Sequence, residues 1–392
     1  MDRITGFTGY FSWNPENPVI LSTLMFFAIL MLVLAAPPPA EYFLADIDNR
    51  PVLIDLEGRV VLEPKAAWAW GYSEGMFCFS DGQRVGFMDW TGRVVVPPTY
   101  AYAEGFREGY ARVQLPEKGD TDRERWGFID RTGRMVIPAR YWATFDFHEG
   151  AAFVLSNKAS TFVDTQGRTI PAAPFGWAEH FSEGLAPVEK DYRWGFIDKR
   201  GRMAIPQVFA RANVFSEGLA AVSIWNDTLE ALNVPIVGSG YIDATGKMVI
   251  LPKFSSTEPF SCGLGLVAEG SMYVPSRNRS GREPRLGKVS FIDRTGKTVF
   301  EVTGSEGGTP GGSRATVVRV ESFREDIAYV EYADGRKGFV DKTGKVAIAL
   351  GPEIESAQSF DRGLARVSLA PAAHGGPRST GYINKSGKLV WP

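Results

Sequence analysis

Hydrophobic and polar residues alternate in short runs that meet at a repeated polar turn. The run W-G-F-I-D at 126–130 is followed by R-T-G-R and then by M-V-I-P at 135–138, and nearly the same order returns at 194–206. Alternation on both sides of a glycine-containing turn predicts a β-hairpin. We expect the acidic side chain to accept hydrogen bonds from the turn backbone and the glycine to take a positive φ. Nine such pairs occur along the chain: Asp55 with Gly58, Asp89 with Gly92, Asp130 with Gly133, Asp164 with Gly167, Asp198 with Gly201, Asp243 with Gly246, Asp293 with Gly296, Asp341 with Gly344, and Asn384 with Gly387.

A third apolar run precedes most of the hairpins and is entered through a glycine turn. Examples are F-R-E-G-Y-A-R-V at 106–113, F-S-E-G-L-A-P-V at 181–188 and F-D-R-G-L-A-R-V at 360–367. With the hairpin it predicts a three-stranded antiparallel meander, which cannot bury its apolar face alone. Successive turns lie 34–50 residues apart, a period typical of solenoids and propellers. The chain is therefore predicted to be all-β, a tandem array of about nine three-stranded antiparallel β-meander repeats.

Such an array either closes into a propeller-like ring or continues as an open β-solenoid. Residues 41–64 are predicted to form one strand and its hairpin, and residues 360–392 end with the same order of strands. The two ends are therefore in phase, and no unit is divided between the termini to fasten a ring. This counts against a conventional propeller, but the sequence is compatible with both arrangements.

These residues resemble the WG-repeat family of bacterial proteins, also called the KWG-repeat family. Units of that family read W-G-F-I-D-K-T-G-K-x-V-I-P-P-x-F and then F-x-E-G-L-A-x-V, and the W-G pair is intact at Trp126 and Trp194. The resemblance covers residues 44–392. Other units depart from the pattern, as at Val85, Thr161, Gly240, Val289 and Thr380, and the first unit lacks the G-F step. The resemblance implies an all-β repeat domain and supplies no general catalytic activity or ligand.

One apolar segment near the N-terminus interrupts this pattern. Residues 19–36 read V-I-L-S-T-L-M-F-F-A-I-L-M-L-V-L-A-A without a charge, close to the length that crosses a bilayer. We expect a transmembrane helix or signal anchor there, between an N-terminal tail at 1–18 and a proline-rich linker at 37–43. Prolines at 37–39 would obstruct cleavage after Ala36, which favours a single-pass anchor. We expect the repeat domain (44–392) to lie outside the cytoplasm. The alternatives are signal cleavage, giving a secreted or periplasmic protein, and a buried core helix.

The charge balance argues against nucleic acid as a partner. The chain has 43 basic and 45 acidic residues and a net charge of −2, so it has no general basic field. Neither the two cysteines, Cys78 and Cys262, nor the three histidines, His148, His180 and His374, show metal-ligand or catalytic spacing. No catalytic residue, cofactor or metal is predicted, and we expect a protein that is not an enzyme.

Four long insertions interrupt the repeat at the same connection, between the F-x-E-G strand and the next hairpin. They occupy 115–125, 225–239, 269–288 and 370–380, and stacking in register would bring them to one rim. Residues 270–288 of the third insertion are cationic, with a local charge of +4, and are a candidate site for an anion or a partner. Its candidate residues are Arg277, Arg279, Arg282, Arg285 and Lys288. A solvated loop is the alternative interpretation.

We therefore expect a membrane-anchored, non-enzymatic binding or scaffolding protein. It would recognise a protein or an anionic component of the cell envelope through this rim. The alternative is an envelope carbohydrate hydrolase or modifying enzyme, which would need two carboxylates roughly 5 to 10 Å apart in a groove. A purely structural spacer is a third interpretation.

Overall fold

The computed structural model describes residues 42–47, 50–116, 126–157, 159–224, 238–270, 288–302, 317–370 and 379–391. Residues Glu41–Pro392 form one compact unit, and every regular element in the described ranges is a β-strand. The predicted membrane segment at 19–36 lies outside these ranges. Within them, no helix is long and apolar enough to cross a membrane.

The strands form nine antiparallel sheets, which we number as blades in chain order. Blade 1 contains β1 (Phe43–Ile47), β2 (Arg50–Ile54) and β3 (Val60–Leu62). Blade 2 contains β4 (Trp68–Ser73), β5 (Met76–Ser80), β6 (Val85–Asp89) and β7 (Val94–Tyr100). Blade 3 contains β8 (Tyr102–Ala103), β9 (Tyr110–Gln114), β10 (Trp126–Asp130) and β11 (Met135–Tyr141).

The next three sheets follow the same order. Blade 4 contains β12 (Ala143–Thr144), β13 (Ala151–Leu155) and β14 (Ser160–Asp164). Blade 5 contains β15 (Trp177–Ala178), β16 (Leu185–Lys190), β17 (Arg193–Asp198) and β18 (Met203–Phe209). Blade 6 contains β19 (Arg211–Ser216), β20 (Leu219–Ile224), β21 (Gly238–Ile242) and β22 (Met248–Phe254).

Three four-stranded sheets complete the unit. Blade 7 contains β23 (Ser256–Thr257), β24 (Gly265–Glu269), β25 (Lys288–Ile292) and β26 (Thr298–Glu301). Blade 8 contains β27 (Val317–Val320), β28 (Ile327–Tyr332), β29 (Lys337–Asp341) and β30 (Val346–Ala349). Blade 9 contains β31 (Ile354–Ala357), β32 (Leu364–Leu369), β33 (Ser379–Asn384) and β34 (Leu389–Trp391).

The complete blade has four strands, so the predicted three-stranded unit is wrong for seven of the nine sheets described. We call the four strands a, b, c and d in chain order. Strand a is the one the sequence missed, because it spans only two residues in β8, β12, β15 and β23 and so shows no periodicity. It lies at the inner edge of its blade: β19, for example, packs against β16 and β17 of the preceding blade.

Two blades have three described strands. Blade 1 has strands b, c and d, and its strand b (β1) pairs only with β2 among the described residues. Blade 4 has strands a, b and c. Its outer segment carries Pro171 and Pro174, which have no amide to donate to a strand ladder, and only the Val163 and Thr169 bridge connects it to β14.

The antiparallel order assigns the connections to two faces of the unit. The a–b and c–d turns of every blade lie on one face, which we call the turn face. The b–c and d–a connections lie on the other, which we call the insertion face, because all four predicted insertions join a strand b to a strand c.

The nine sheets close into a ring without exchanging a strand. In every blade the glycine of the c–d turn lies against the outer segment of the preceding blade, and Gly58 of blade 1 lies in the same way against blade 9. A Cβ on Gly58 would come within 1.8 Å of the Val390 carbonyl oxygen. The Tyr382 hydroxyl also donates to the Leu44 carbonyl across this junction, over 2.7 Å. The fold is therefore a nine-bladed β-propeller, and the open solenoid is wrong. In many propellers one blade combines strands from both termini, whereas here packing between blades 1 and 9 closes the ring. Termini that are in phase therefore do not prevent closure.

A layer of aromatic rings forms the core between blades, as the repeated aromatic step predicts. Phe128 of strand c packs against Phe147, which precedes strand b of the next blade, with ring centroids 4.9 Å apart. Both side chains are buried. Equivalent pairs join six other neighbouring blades at 4.7–5.0 Å: Phe87 with Phe106, Phe162 with Phe181, Phe196 with Phe215, Tyr241 with Phe260, Phe291 with Phe323, and Phe339 with Phe360. Edge contacts of this kind stabilise beyond the area they bury.

Candidate functional site

The repeated acidic residues and glycines build the c–d turns on the turn face. Asp130 Oδ1 accepts hydrogen bonds from the Thr132 hydroxyl and from the amides of Thr132 and Arg134. The hydrogen bond from the Thr132 hydroxyl, with those amides, holds the pKa of Asp130 below its usual value. Gly133 has a φ of 85°, and a Cβ there would lie 2.8 Å from Val96 of the preceding blade. The same acceptor geometry and a positive φ recur at the other predicted turn residues: Asp89 and Gly92, Asp198 and Gly201, Asp243 and Gly246, and Asp341 and Gly344.

The glutamates of the F-x-E-G turns connect one blade to the next. The Glu183 carboxylate accepts the Gly218 amide of blade 6 at 3.0 and 3.1 Å, although Glu183 itself has a left-handed φ of 53°. The same link is made by Glu74 to Gly109, Glu108 to Gly150, Glu149 to Gly184, Glu217 to Gly263, and Glu325 to Gly363. These recurring carboxylates are therefore engaged in holding the ring.

The insertion face carries the predicted cationic loop, of which one residue is described. Lys288 begins β25 and forms an ion pair with Glu301 at 2.6 Å, and its register partner across the sheet is Glu269. The pKa of Lys288 is raised, first by the hydrogen bond to Glu301. Arg277, Arg279, Arg282 and Arg285 lie outside the described residues. Lys288 is thus neutralised by its own blade, and the candidate anion site rests on the four arginines.

The insertion face also carries a set of exposed aromatic side chains on consecutive blades. One occurs at or next to the start of strand a in each of blades 2 to 5, and another lies in the tight b–c turn of blade 5. We call this set the aromatic arc: Trp68, Tyr102, Trp142, Trp177 and Tyr192. Trp68 is 62% exposed and Tyr192 is 82% exposed. At the position of Tyr102, blades 6 to 9 instead carry Arg211, Ser256, Arg319 and Ser356.

Other side chains fix the orientation of the arc at blade 3. The Tyr102 ring stacks on Trp70 of blade 2 at 6.0 Å and meets Trp126 edge-on at 5.9 Å. The guanidinium of Arg112 lies 6.0 Å from the Trp126 ring and donates to Asp146 of blade 4 at 2.7 Å. Tyr102 is therefore held between two aromatic rings while its own ring remains accessible.

The model of the family described as WG containing repeat matches six segments of the chain, at residues 86–118, 126–158, 161–194, 194–226, 240–273 and 338–369. The chain belongs to the WG-repeat family. Each matched segment begins in strand c of one blade and continues through strand b of the next. The WG repeat is thus displaced from the blade by two strands.

Two solved structures align with most of this WG-repeat protein. A eukaryotic initiation factor has 12% identity and a TM-score of 0.57, over 89% of this chain and 94% of that chain. BamB from Moraxella catarrhalis has 10% identity and a TM-score of 0.40, over 88% of this chain and 95% of that chain. No curated protein sequence matches the chain. At 12% identity the likeness to the initiation factor concerns the fold alone.

A cavity of about 400 Å³ opens between blades 7 and 8 of the WG-repeat ring. Its carboxylates are Glu258 and Glu321. Burial raises the pKa of Glu258, whereas Glu321 Oε2 accepts the amide of Ser359 at 2.9 Å and its other oxygen pairs with Arg319. Glu321 therefore links blade 8 to blade 9, and the cavity has one carboxyl group without such a role.

The histidines and cysteines take structural positions among the described WG repeats. His148 and His180 stack at 3.9 Å, and burial, with the neighbouring His180, lowers the pKa of His148 to about 4. Both cysteines are free thiols, and burial raises the pKa of Cys78. No group of three or more His, Cys, Asp or Glu side chains in the described ranges is placed to hold a metal ion. His374 lies outside those ranges.

Sequence reasoning missed the aromatic arc. It followed the residues that recur in all units, and these proved to be buried rings and turns. The signal that identifies the arc is an aromatic residue four or five positions before the aromatic residue that opens each F-x-E-G turn. That signal is present in blades 2 to 5 and absent from blades 6 to 9.

Proposed function

We propose that this WG-repeat protein is a membrane-anchored, non-enzymatic binding protein that recognises a protein partner through its insertion face. The propeller supplies a rigid ring, and the side chains that hold it together recur in most blades. The features that differ between blades, which are the four insertions and the aromatic arc, are on the insertion face. Binding sites in repeat proteins commonly use such variable positions.

The aromatic arc is the observation that carries this proposal. Exposed Trp and Tyr side chains on consecutive blades form the kind of surface that is enriched at protein interfaces. Isolated exposed apolar residues are ordinary, but here the aromatic residues share one face and one sector of the ring. Arg112 and Arg140, which lie beside Trp126 and Tyr141, add the guanidinium groups that such interfaces also favour.

The conformation of Tyr192 supports a role outside the fold. Asp191 and Tyr192 both have left-handed φ values, 51° and 62°, at the two central positions of a tight b–c turn. Asparagine and glycine suit these positions, whereas a tyrosine there is strained. Tyr192 is also largely exposed, so burial of its side chain contributes little to the stability of the ring. Strain retained at an exposed aromatic residue is consistent with use by a partner.

The cationic insertion extends the same surface. Arg277, Arg279, Arg282 and Arg285 belong to the b–c connection of blade 7, which opens on the insertion face. We infer that they meet an acidic patch of the partner or an anionic component of the envelope, because guanidinium groups bind carboxylates and phosphates in a bidentate manner.

The carboxylates of the cavity favour binding over hydrolysis. A glycosidase needs one carboxyl group as acid and a second as base or nucleophile. In the cavity between blades 7 and 8, Glu258 has a raised pKa, but Glu321 is held by Ser359 and Arg319. No second free carboxylate therefore faces Glu258 among the described lining residues.

The membrane anchor is proposed on the sequence of residues 19–36 alone. Its eighteen uncharged residues would hold the full chain in the membrane fraction after carbonate extraction. Protease added to intact cells would then cleave the repeat domain if that domain faces outward. Release of the full chain by carbonate would refute the anchor without affecting the binding proposal.

Crosslinking in cells tests the binding proposal. A photo-crosslinking amino acid placed at Trp177 or Tyr192 should capture one reproducible protein, and the Trp68→Ala and Trp177→Ala variants should reduce its recovery about tenfold or more, as for interface hot spots. The control is Leu251→Ala on strand β22, a residue 71% exposed that lies outside the arc. The proposal fails if the Leu251 variant loses the partner equally, or if both arc variants retain it.

A further inference from the structure

The junction between blades 9 and 2 contains a slot in the place of one inner strand. Blade 1 has no strand a among the described residues, so one edge of β1 has no partner strand there. A cavity of about 320 Å³ follows this edge, lined by Phe43 to Asp46 of β1, by Trp70 and Tyr72 of blade 2, and by blade 9. In blades 2 to 9 the corresponding place is filled by a strand that ends at the turn face.

The turn of blade 9 has lost the groups that elsewhere hold the next inner strand. In most blades a glutamate accepts an amide of the next a–b turn, but in blade 9 that position is Arg362. The preceding residue is Asp361. At the equivalent position, blades 5 and 6 carry Ser182 and Ser216, whose hydroxyls donate to the next blade. Asp361 pairs with Arg362 at 3.1 Å. This turn therefore presents a cation, where six others present a carboxylate.

Arg362 extends over the slot. Its guanidinium lies 5.1 Å from the Phe43 ring of blade 1 and 5.9 Å from the Tyr72 ring of blade 2. One Asp361 oxygen engages Nε, and a guanidinium has five N–H donors in total, so the terminal nitrogens remain for another acceptor. Arg366 of the next strand adds a second positive charge to the lining, and Asp46 and Asp361 supply two negative charges.

The Tyr72 hydroxyl is an independent sign that the slot takes a polar ligand. Its oxygen is buried and makes no hydrogen bond with the described part of the chain. Burial raises the pKa of Tyr72 to about 12, so the hydroxyl is a donor at neutral pH. A buried hydroxyl without an acceptor costs free energy, and an acceptor entering the slot would remove that cost.

The chain's own sequence is poorly suited to fill the slot as an inner strand. Counting back from β1 in the sequence, Ala40 and Glu41 align with Glu74 and Gly75 of blade 2, whose φ values are 51° and 78°. The second of these is a glycine in most other blades, because a side chain is strained there. Prolines at 37–39 would contribute no amides to a ladder with β1.

We propose that this slot binds the C-terminal end of an extended peptide from a partner protein, paired antiparallel to β1 with its terminal carboxylate at Arg362. The direction follows from the other blades, in which strand a runs antiparallel to strand b and reaches the turn face at its C-terminal end. A continuous chain would need to turn there, whereas a chain that ends there places its carboxylate beside the guanidinium. Strand addition with capture of a terminal carboxylate is a known mode of peptide recognition. The carboxylate end of the slot is on the turn face, and the aromatic arc is on the insertion face.

The test uses the full chain and the pentapeptide Ala-Asn-Val-Phe-Ser, the sequence of residues 212–216 in strand a of blade 6. Its free acid should bind in calorimetry and slow amide exchange in β1, and its C-terminal amide should bind at least about tenfold more weakly, as expected for the loss of a charge-assisted contact. Arg362→Gln should reduce binding of the acid to that of the amide. Arg324→Gln, at an exposed arginine in the a–b turn of blade 8, should leave it unchanged.

Three results would overturn the proposal. The first is equal binding of the acid and the amide, or binding of neither. The second is binding of the acid that is insensitive to Arg362→Gln. The third is slow exchange, in the protein alone, of the β1 amides that do not donate to β2, because the slot would then already hold residues that precede Tyr42.

Discussion

Alanine at three turn glycines separates the strain of the backbone from the contact between blades. Gly150, Gly201 and Gly58 have almost the same φ, at 78°, 76° and 78°. A Cβ on Gly150 meets no atom within 4 Å, whereas on Gly201 it would lie 1.8 Å from the carbonyl oxygen of Pro171. On Gly58 it would lie 1.8 Å from that of Val390. All three variants share the strain, and only two add a clash.

The expected magnitudes follow from these two contributions. An alanine held in the left-handed region costs about 1 kcal/mol relative to glycine. Displacing a packed backbone carbonyl adds about 1–3 kcal/mol. At about 2 °C per kcal/mol for a large domain, Gly150→Ala should lower Tm by about 2 °C. Gly201→Ala and Gly58→Ala should each lower it by about 4–8 °C.

Differential scanning calorimetry of the three full-chain variants measures the shifts, and circular dichroism establishes that each variant is folded. Equal shifts for Gly150→Ala and Gly201→Ala would refute the role of turn glycines in packing blade against blade. Gly58→Ala tests closure of the ring in particular. If it shifts Tm as little as Gly150→Ala while Gly201→Ala has the larger effect, blades 1 and 9 are not in contact in solution.

Three further variants test other parts of the ring. Replacing Asp191 with Asn and Tyr192 with Gly should raise stability by about 1 kcal/mol, since Asn-Gly suits the turn, and a calorimetric Tm that falls instead would contradict the strain. Burial lowers the pKa of His148 to about 4 from its usual 6.5, so the unfolded chain takes up a proton first and stability falls as pH drops from about 6.5 to about 4. His148→Ser should flatten the plot of Tm against pH over that window. An unchanged slope would show that other groups cause the pH dependence of stability. Glu183→Ala should accelerate amide exchange at Gly218, whereas Glu183→Gln keeps an acceptor and should have a smaller effect.

The sequence predicts the hairpins well because each position has a local cause. The acidic residue of the turn accepts hydrogen bonds from the amides two and four residues ahead, and the glycine of the turn takes the left-handed conformation. The hairpin can therefore be predicted from the sequence of one unit. The burial of Phe128 can be predicted in the same way, because alternation assigns this aromatic residue to one side of the strand. These local rules are enough to predict an all-β repeat and the order of strands b, c and d.

Contacts between distant residues explain what the sequence did not predict. Closure depends on Gly58 meeting Val390, and nothing near either residue indicates the other. The two-residue strand a is defined by pairing such as Tyr102 with Gln114, and not by its own pattern. The aromatic arc becomes visible only when Trp68 and Trp177 are brought to one face by the ring. Lys288 was predicted with the cationic cluster, and its pairing with Glu301 depends on the register of blade 7.

The two-strand displacement between the WG repeat and the blade has a consequence for how the protein can change in evolution. Removing one repeat takes strands c and d from one blade and strands a and b from the next. The strands left behind, a and b followed by c and d, join into one whole blade. Because the ring also closes by packing and shares no strand between its ends, the gain or loss of a repeat leaves no orphaned strand. Ring size in this family is therefore expected to vary in steps of one blade among descendants of a single gene.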